Sequence, residues 1–143
     1  VIVRAAGADD APRLTPLVAE LGYPASVEQL RARLERLVNS DRVRVLLATD
    51  GNGGDVLGLC TVHLLSTIHA DGEVAQLTAL VVGERARGAG VGRALVDEAE
   101  TWSRRQGAVR IVVTTALHRS GAHAFYERLG YAHTGRRYGR ALV

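Results

Sequence analysis

Leu80-Val81-Val82-Gly83-Glu84-Arg85-Ala86-Arg87-Gly88-Ala89-Gly90-Val91-Gly92-Arg93-Ala94-Leu95 is the stretch that decides how this chain is read. An apolar run ends in a loop with glycine at every second position, Gly88, Gly90 and Gly92, and the loop opens into an amphipathic helix. Glycines placed this way let backbone N–H groups crowd together and point outward, since no Cβ blocks the approach. The helix behind them adds its own unpaired N–H groups and the positive end of its dipole. The combination predicts an anion cradle, with phosphate as the expected anion. Arg85, Arg87 and Arg93 flank it and supply donors for charge-assisted bonds to the same phosphates.

Two common phosphate motifs fit poorly. A dinucleotide fingerprint requires a third glycine where Arg93 stands, and it opens a βαβ unit with an acidic residue ~20 positions on. A nucleoside-triphosphate loop requires Gly-Lys-Ser/Thr, and the chain contains no lysine. The spacing Arg87-Gly88-Ala89-Gly90-Val91-Gly92 resembles instead the Arg/Gln-x-x-Gly-x-Gly/Ala motif of the GNAT acyltransferase superfamily, which cradles the pyrophosphate of coenzyme A. A second register, Arg85-x-x-Gly88-x-Gly90, also fits; the first places Gly92 directly before Arg93-Ala94-Leu95. Downstream, Ala122-His123-Ala124-Phe125-Tyr126-Glu127-Arg128-Leu129-Gly130-Tyr131 is similar to the superfamily's Ala-x-x-Phe-Tyr-x-x-x-Gly-Phe/Tyr signature. The likeness covers Gln76 to the C-terminus well and the first half only in its order of elements.

Composition sets bounds around that reading. A chain of 143 residues fits a single domain, 1–143, large enough to bury about two thirds of its unfolded surface. With 47% hydrophobic and 23% charged residues it has the balance of a soluble globular protein. No apolar run reaches the ~18 residues needed to span a bilayer, and no signal-peptide pattern stands at Val1, so no membrane association is expected and the cytoplasm is the default location. The single cysteine, Cys60, lies in the apolar run Val56–Val62 and reads as a small buried hydrophobe. All 18 cations are arginine, a usage that GC-rich codons would produce and that points to a bacterial source. The arginines are dispersed and aromatics are few, so the basic balance suits a polyanionic cofactor better than nucleic acid.

The pattern of elements alternates. Ile2–Ala5 reads as a short strand. Asp9 and Asp10 read as caps before Ala11-Pro12 and a helix ending at Gly22. Ser26-x-x-Gln29 reads as a capping box for a second helix carrying Leu30, Leu34 and Leu37. Strands follow at Val43–Thr49, Val56–Leu65 and Glu73–Val82, joined by the loops Asp50–Asp55 and Thr67–Gly72. The cradle helix spans Gly92–Gln106 with Leu95, Ala99 and Trp102 buried, and Gly107 ends it. Then come a strand over 108–115, a short helix capped by Ser120 and closed by Gly130, and a last strand from Tyr131 onward. This order reads as one α+β domain. The resemblance implies a mixed, mostly antiparallel sheet flanked by helices, with a splayed parallel strand pair holding the cofactor.

The resemblance further implies an acetyl-coenzyme A-dependent N-acetyltransferase acting on a primary amine of a small molecule or peptide by direct transfer. Cofactor holding would fall to Arg87, Gly88, Ala89, Gly90, Val91, Gly92 and Arg93. The backbone of Leu80, Val81 and Val82 would pair with the pantetheine arm, an N–H at or beside Val82 polarising the thioester carbonyl. Tyr126 matches the tyrosine that protonates the departing thiolate, and Phe125 anchors the same helix against the cofactor. Arg119 stands where the family often has a cofactor-contacting asparagine. Glu73 is the candidate base, one residue off the family's register; His69, Asp71 and a water relay are alternatives. His118 and His123 have no common ligand spacing, and His63 and His133 lack partners in sequence, so no metal is expected. Homodimers are common in the superfamily. The other class of reading is a non-catalytic acyl-coenzyme A-binding or sensing module of the same fold.

Overall fold

The computed structural model describes residues 1–51, 54–114 and 120–143. Two compact units are present, Val1–Val112 and Val113–Val143. The first contains β1 (Ile2–Ala5), α1 (Ala11–Leu21), α2 (Val27–Val38), β2 (Val43–Thr49), β3 (Val56–Leu65), β4 (Glu73–Val82), α3 (Val91–Arg105) and all but the last residue of β5 (Ala108–Val113). The strands form one sheet in the order β1-β2-β3-β4-β5. β1 to β4 run antiparallel, and β5 is parallel to β4. A parallel neighbour requires a crossover, and α3 provides it.

Register assigns every side chain to a face. Val45, Leu47, Leu59 and Val81 join Leu14, Leu17, Val18, Leu30 and Leu34 in one core under α1 and α2. The opposite set, with Leu46, Cys60, Val62 and Leu77 all buried, faces α3, whose Val91, Leu95, Val96, Ala99 and Trp102 are buried. Burial pushes the Cys60 thiol up to about 12, which suits a packing residue and not a nucleophile. Gly58 belongs to this second face. A Cβ there would stand 2.9 Å from Leu95 Cδ1, 3.1 Å from Val91 Cγ1 and 3.1 Å from the Val81 carbonyl. The N-terminal half of α3 therefore rests directly on the backbone of β3.

Local chemistry explains most element ends. Ser26 Oγ accepts from the Gln29 N–H at 3.1 Å, and the Gln29 side chain accepts from the Ser26 N–H at 3.0 Å, completing the box that starts α2. Gly22 and Gly107 end α1 and α3 in the left-handed region, φ 107° and 85°. Asp10 behaves differently from the expected helix cap. It makes no side-chain cap to α1; its carboxylate turns back one 3-10 turn (Ala8–Asp10) to the Gly7 N–H at 2.8 Å and takes a two-pronged bond from Arg4 at 2.8 and 3.0 Å. The Arg4 guanidinium is the chief reason the Asp10 carboxyl titrates below the ordinary range, with burial opposing it. Arg4 arrives on β1, so the helix-start pattern alone could not name it as the partner.

The second unit contains α4 (Ser120–Arg128), closed by Gly130 at φ 92°. The Gly130 N–H bonds the Glu127 carbonyl at 3.0 Å and the Tyr131 N–H bonds that of Tyr126 at 2.9 Å. The expected last strand does not form: no strand runs from Tyr131 to Val143, and every residue after Tyr131 is exposed. A strand needs one face to bury, and this segment, broken by Gly135 and Gly139 and carrying Arg136, Arg137 and Arg140, offers no alternation to supply it. The expected strand over 108–115 ends at Val113, and Thr115 lies outside the described residues.

The contact at Gly58 yields a stability prediction. Gly58→Val must push α3 off β3, and overpacking of this kind costs about 1–3 kcal/mol. Denaturant unfolding should show a lowered midpoint with an unchanged slope; an unchanged midpoint would mean that α3 does not press on this backbone.

Candidate functional site

The cradle begins where β4 stops. Val82 is followed by Gly83, whose N–H bonds the Leu57 carbonyl at 2.8 Å, and by a 3-10 turn over Glu84–Ala86. Gly88 and Gly90 then both adopt the left-handed region, φ 81° and 82°, and no atom lies within 4 Å of where either Cβ would be. The two glycines are thus required by backbone conformation, and the space over them is open. Gly92, which the sequence grouped with them, is buried inside the first turn of α3. The first intrahelical bond of α3 runs from the Ala94 N–H to the Gly90 carbonyl, 3.0 Å, so the N–H groups of Val91, Gly92 and Arg93 precede the helical ladder. They lie along the helix axis at its positive end, behind the exposed Gly88-Ala89-Gly90 backbone. Amides arranged this way fit an anion, and an open, Cβ-free surface is what a pyrophosphate would need.

The arginines around it divide. Arg93 is exposed on the first turn of α3, next to the open amides. Arg87 points back: its Nε donates to the Val82 carbonyl at 3.3 Å and its guanidinium lies 3.8 Å from Glu20 of α1. It caps the end of β4 and tethers the loop to α1. That pair is solvent-exposed and contributes little stability, so the guanidinium can exchange Glu20 for a stronger anion. An open groove of about 780 Å³ runs beside this tether, walled by Pro12, Pro16 and Leu17 of α1 and floored by Val56, Leu57 and Gly83.

β4 itself divides at a bulge. Thr61 pairs with Ala79 and Val62 with Leu77, which leaves Thr78 as an extra residue on β4. Thr78 is exposed although β4 lies inside the sheet, and its hydroxyl reaches the Thr61 carbonyl at 3.5 Å. Beyond the bulge the ladder alternates. Because Gly83 donates to β3, Val81 turns its backbone groups to β3 as well, while Leu80 and Val82 turn theirs to the β5 side. Of the three residues expected to line an arm, Leu80 and Val82 turn their backbone groups that way, and the Val82 carbonyl accepts from Arg87 Nε. Val81 does not: its amide is committed to β3 and its side chain to the α1/α2 core.

Glu73, the expected base, sits at the far end of β4, about 30 Å from Val82 at ~3.3 Å per residue. Arg42 Nη2 and Nη1 hold its carboxylate at 2.8 and 3.1 Å, and the Ser66 hydroxyl donates to it at 3.0 Å. The Arg42 hydrogen bond is the main cause of a pKa lowered from the ordinary glutamate value. A carboxylate held ionised and doubly bonded is a weak proton acceptor. His69 and Asp71 are exposed in the preceding loop. In the second unit, Tyr126 is buried with its ring edge-on to Phe125 at 5.1 Å and to Tyr131 at 5.6 Å. Arg119 and His118 lie outside the described residues.

The chain is thus an α+β domain whose central strand runs through a bulge into a loop of left-handed glycines at a helix start. The comparisons make the class specific: the model of the acetyltransferase (GNAT) family matches residues 13–131, and this chain belongs to that family. An aminoalkylphosphonate N-acetyltransferase of Salmonella typhimurium is 33% identical over 89 residues, covering 62% of this chain and 58% of that protein's length. An N-acetyltransferase of Bacillus subtilis is 27% identical over 117 residues, 81% of this chain and 80% of that protein. Among solved structures, a GNAT family acetyltransferase of Staphylococcus aureus superposes with a TM-score of 0.83 at 24% identity, covering 99% and 98% of the two chains. That likeness establishes the shared fold.

The Arg42 clamp is testable. In Arg42→Ala the Glu73 carboxyl should titrate at higher pH than in the native protein, followed by carboxyl carbon NMR; an unmoved titration would show that the ion pair is not formed in solution.

Proposed function

We propose that the protein transfers the acetyl group of acetyl-coenzyme A to the primary amine of a small molecule or peptide by direct transfer. The observation that carries this reading is the pair of left-handed glycines, Gly88 and Gly90, open above and backed by the amides of α3. Few ligands need both an amide cradle for two adjacent phosphates and a strand leading away from it. Coenzyme A is one, and family membership makes it the expected one. The Salmonella relative is named for a small amine, which supports a small-molecule acceptor here.

The division of labour follows from the chain's own groups. The amides from Gly88 to Arg93 would hold the pyrophosphate, with Ala89 and Val91 contributing backbone only, and Arg93 would add charge. Arg87 would turn from Glu20 to a phosphate oxygen, and Arg119 would contact phosphate or pantetheine. Leu80 and Val82 would pair with the pantetheine arm and direct an N–H at the carbonyl whose charge grows during transfer. When bound, the cofactor supplies an acyl carbon activated by its bond to sulfur. Tyr126 would hand its phenolic proton to the leaving sulfur, while Phe125 fixes the ring.

One observation favours the second reading, a binding or sensing module without turnover: the β4 carboxylate, Glu73, is already clamped by Arg42. Thiol release from acetyl-coenzyme A in the presence of 2-aminoethylphosphonate, polyamines, amino acids and short peptides decides between them. With an acceptor that is turned over, Tyr126→Phe should cut the rate on the order of 10²–10⁴-fold and leave coenzyme A affinity nearly unchanged. Native-like turnover in Tyr126→Phe would make Tyr126 a packing residue and contradict its role as the acid.

A further inference from the structure

Glu20 stands where its charge does not serve the helix that carries it. It lies in the last turn of α1, a turn with no basic side chain, at the end where the helix dipole is negative and disfavours a carboxylate. Leu17 and Pro16 stand three and four positions before it, and Tyr23 and Pro24 three and four after it, so no cation lies within one turn. Arg13, the cation of α1, is seven residues back, about 10 Å along the axis. A reason for this carboxylate must come from outside α1.

Arg87 supplies one. It immediately precedes the first left-handed glycine of the cradle loop; its Nε donates to the Val82 carbonyl at 3.3 Å while its Nη2 faces Glu20 at 3.8 Å. The Arg4–Asp10 and Arg42–Glu73 pairs close to 2.8 Å as hydrogen bonds, whereas the Glu20 pair is held by charge without one. Both of its partners are open to water, 60% exposed at Arg87 and 38% at Glu20. A phosphate on the Gly88 and Gly90 amides, one to three residues away, lies within reach of the same guanidinium. It offers what Glu20 does not, short charge-assisted bonds in a two-pronged geometry. Rotation of one side chain then exchanges the partners, with no movement of α1 or of the loop.

We infer that Glu20 regulates the cofactor site: it competes with the pyrophosphate for Arg87 and so holds down the affinity for coenzyme A. This rests on the reading of the cradle as a coenzyme A site. In the free protein the guanidinium is parked on Glu20, and a bound pyrophosphate takes it over. When the pyrophosphate leaves, the carboxylate takes the guanidinium back. Acetyl-coenzyme A and the product coenzyme A carry the same pyrophosphate, so this one contact lowers the affinity for both and limits how long product holds the site. The effect is small by construction, because an exposed pair is weak, and it fades as salt screens the pair.

Calorimetric titration of coenzyme A into the native protein, Glu20→Gln, Arg87→Ala and the double variant tests this. Glutamine keeps the shape of Glu20 and removes a charge from the negative end of a helix, so Glu20→Gln should fold with native or slightly raised stability. At low salt it should bind coenzyme A about two- to fivefold more tightly, the range an exposed ion pair can supply, and the gain should shrink at high salt. Arg87→Ala should weaken binding, and with Arg87 absent Glu20→Gln should gain nothing further. Unchanged or weaker binding in Glu20→Gln overturns the proposal, as does native affinity in Arg87→Ala. An equal gain with and without Arg87 also overturns it, since plain repulsion between carboxylate and phosphate would then be the cause. In each of these cases binding by the native protein keeps the cradle reading intact. A native protein that takes up no coenzyme A overturns both.

Discussion

The first turn of α3 can lie where it does only because Gly58 has no side chain. Val91 and Leu95 press onto the β3 backbone at that point, within about 3 Å of where a Cβ would stand. The contact fixes the height of the helix over the sheet, and so fixes where its N–H groups open. β4 runs beside β3 and ends at Val82, so the helix mouth and the strand end come to one place. The intervening loop must reverse direction in a few residues, and the left-handed backbone of Gly88 and Gly90 is the means. An anion cradle at the end of the central strand is then a consequence of one close helix–strand approach.

The bulge at Thr78 is the second constraint. An extra residue on β4 shifts the parity of the strand, so that Leu77 and Leu80 fall on the same face although they are three apart. It exposes a point in the interior of the sheet and brings polar residues from two strands, His63 and Gln76, to its edge. At the cradle end of β4 Arg87 caps the last carbonyl, and at the other end Arg42 clamps Glu73. The two ends are thereby held by structural ion pairs and hydrogen bonds.

Much of this was readable from the residues. The capping box at Ser26, the bounds of β2, β3 and β4, and the left-handed glycines at Gly22, Gly107 and Gly130 are local features, carried by neighbours in sequence. The glycine loop and the start of α3 were readable for the same reason: both lie within one short segment. What escaped depends on partners distant in the chain. Asp10 reads as a cap until Arg4 of β1 claims it, and Glu73 reads as a free carboxylate until Arg42 arrives from 31 positions away. Gly58 looks like any glycine in a strand, since its reason is a leucine on α3. The bulge is invisible in β4 alone because it exists only against β3, and with it the neighbourhood of His63. The segment after Tyr131 reads as a last strand, but its own glycines and arginines prevailed.

The central claim is that the open amides after β4 hold the pyrophosphate of coenzyme A. Backbone ¹H–¹⁵N NMR of the native protein during addition of coenzyme A tests it at the atoms concerned. The account predicts that the Gly88, Gly90, Val91 and Gly92 amide resonances shift most and saturate together, with smaller effects at Leu80 and Val82. Saturable binding of coenzyme A that leaves those glycine amides unmoved would contradict it.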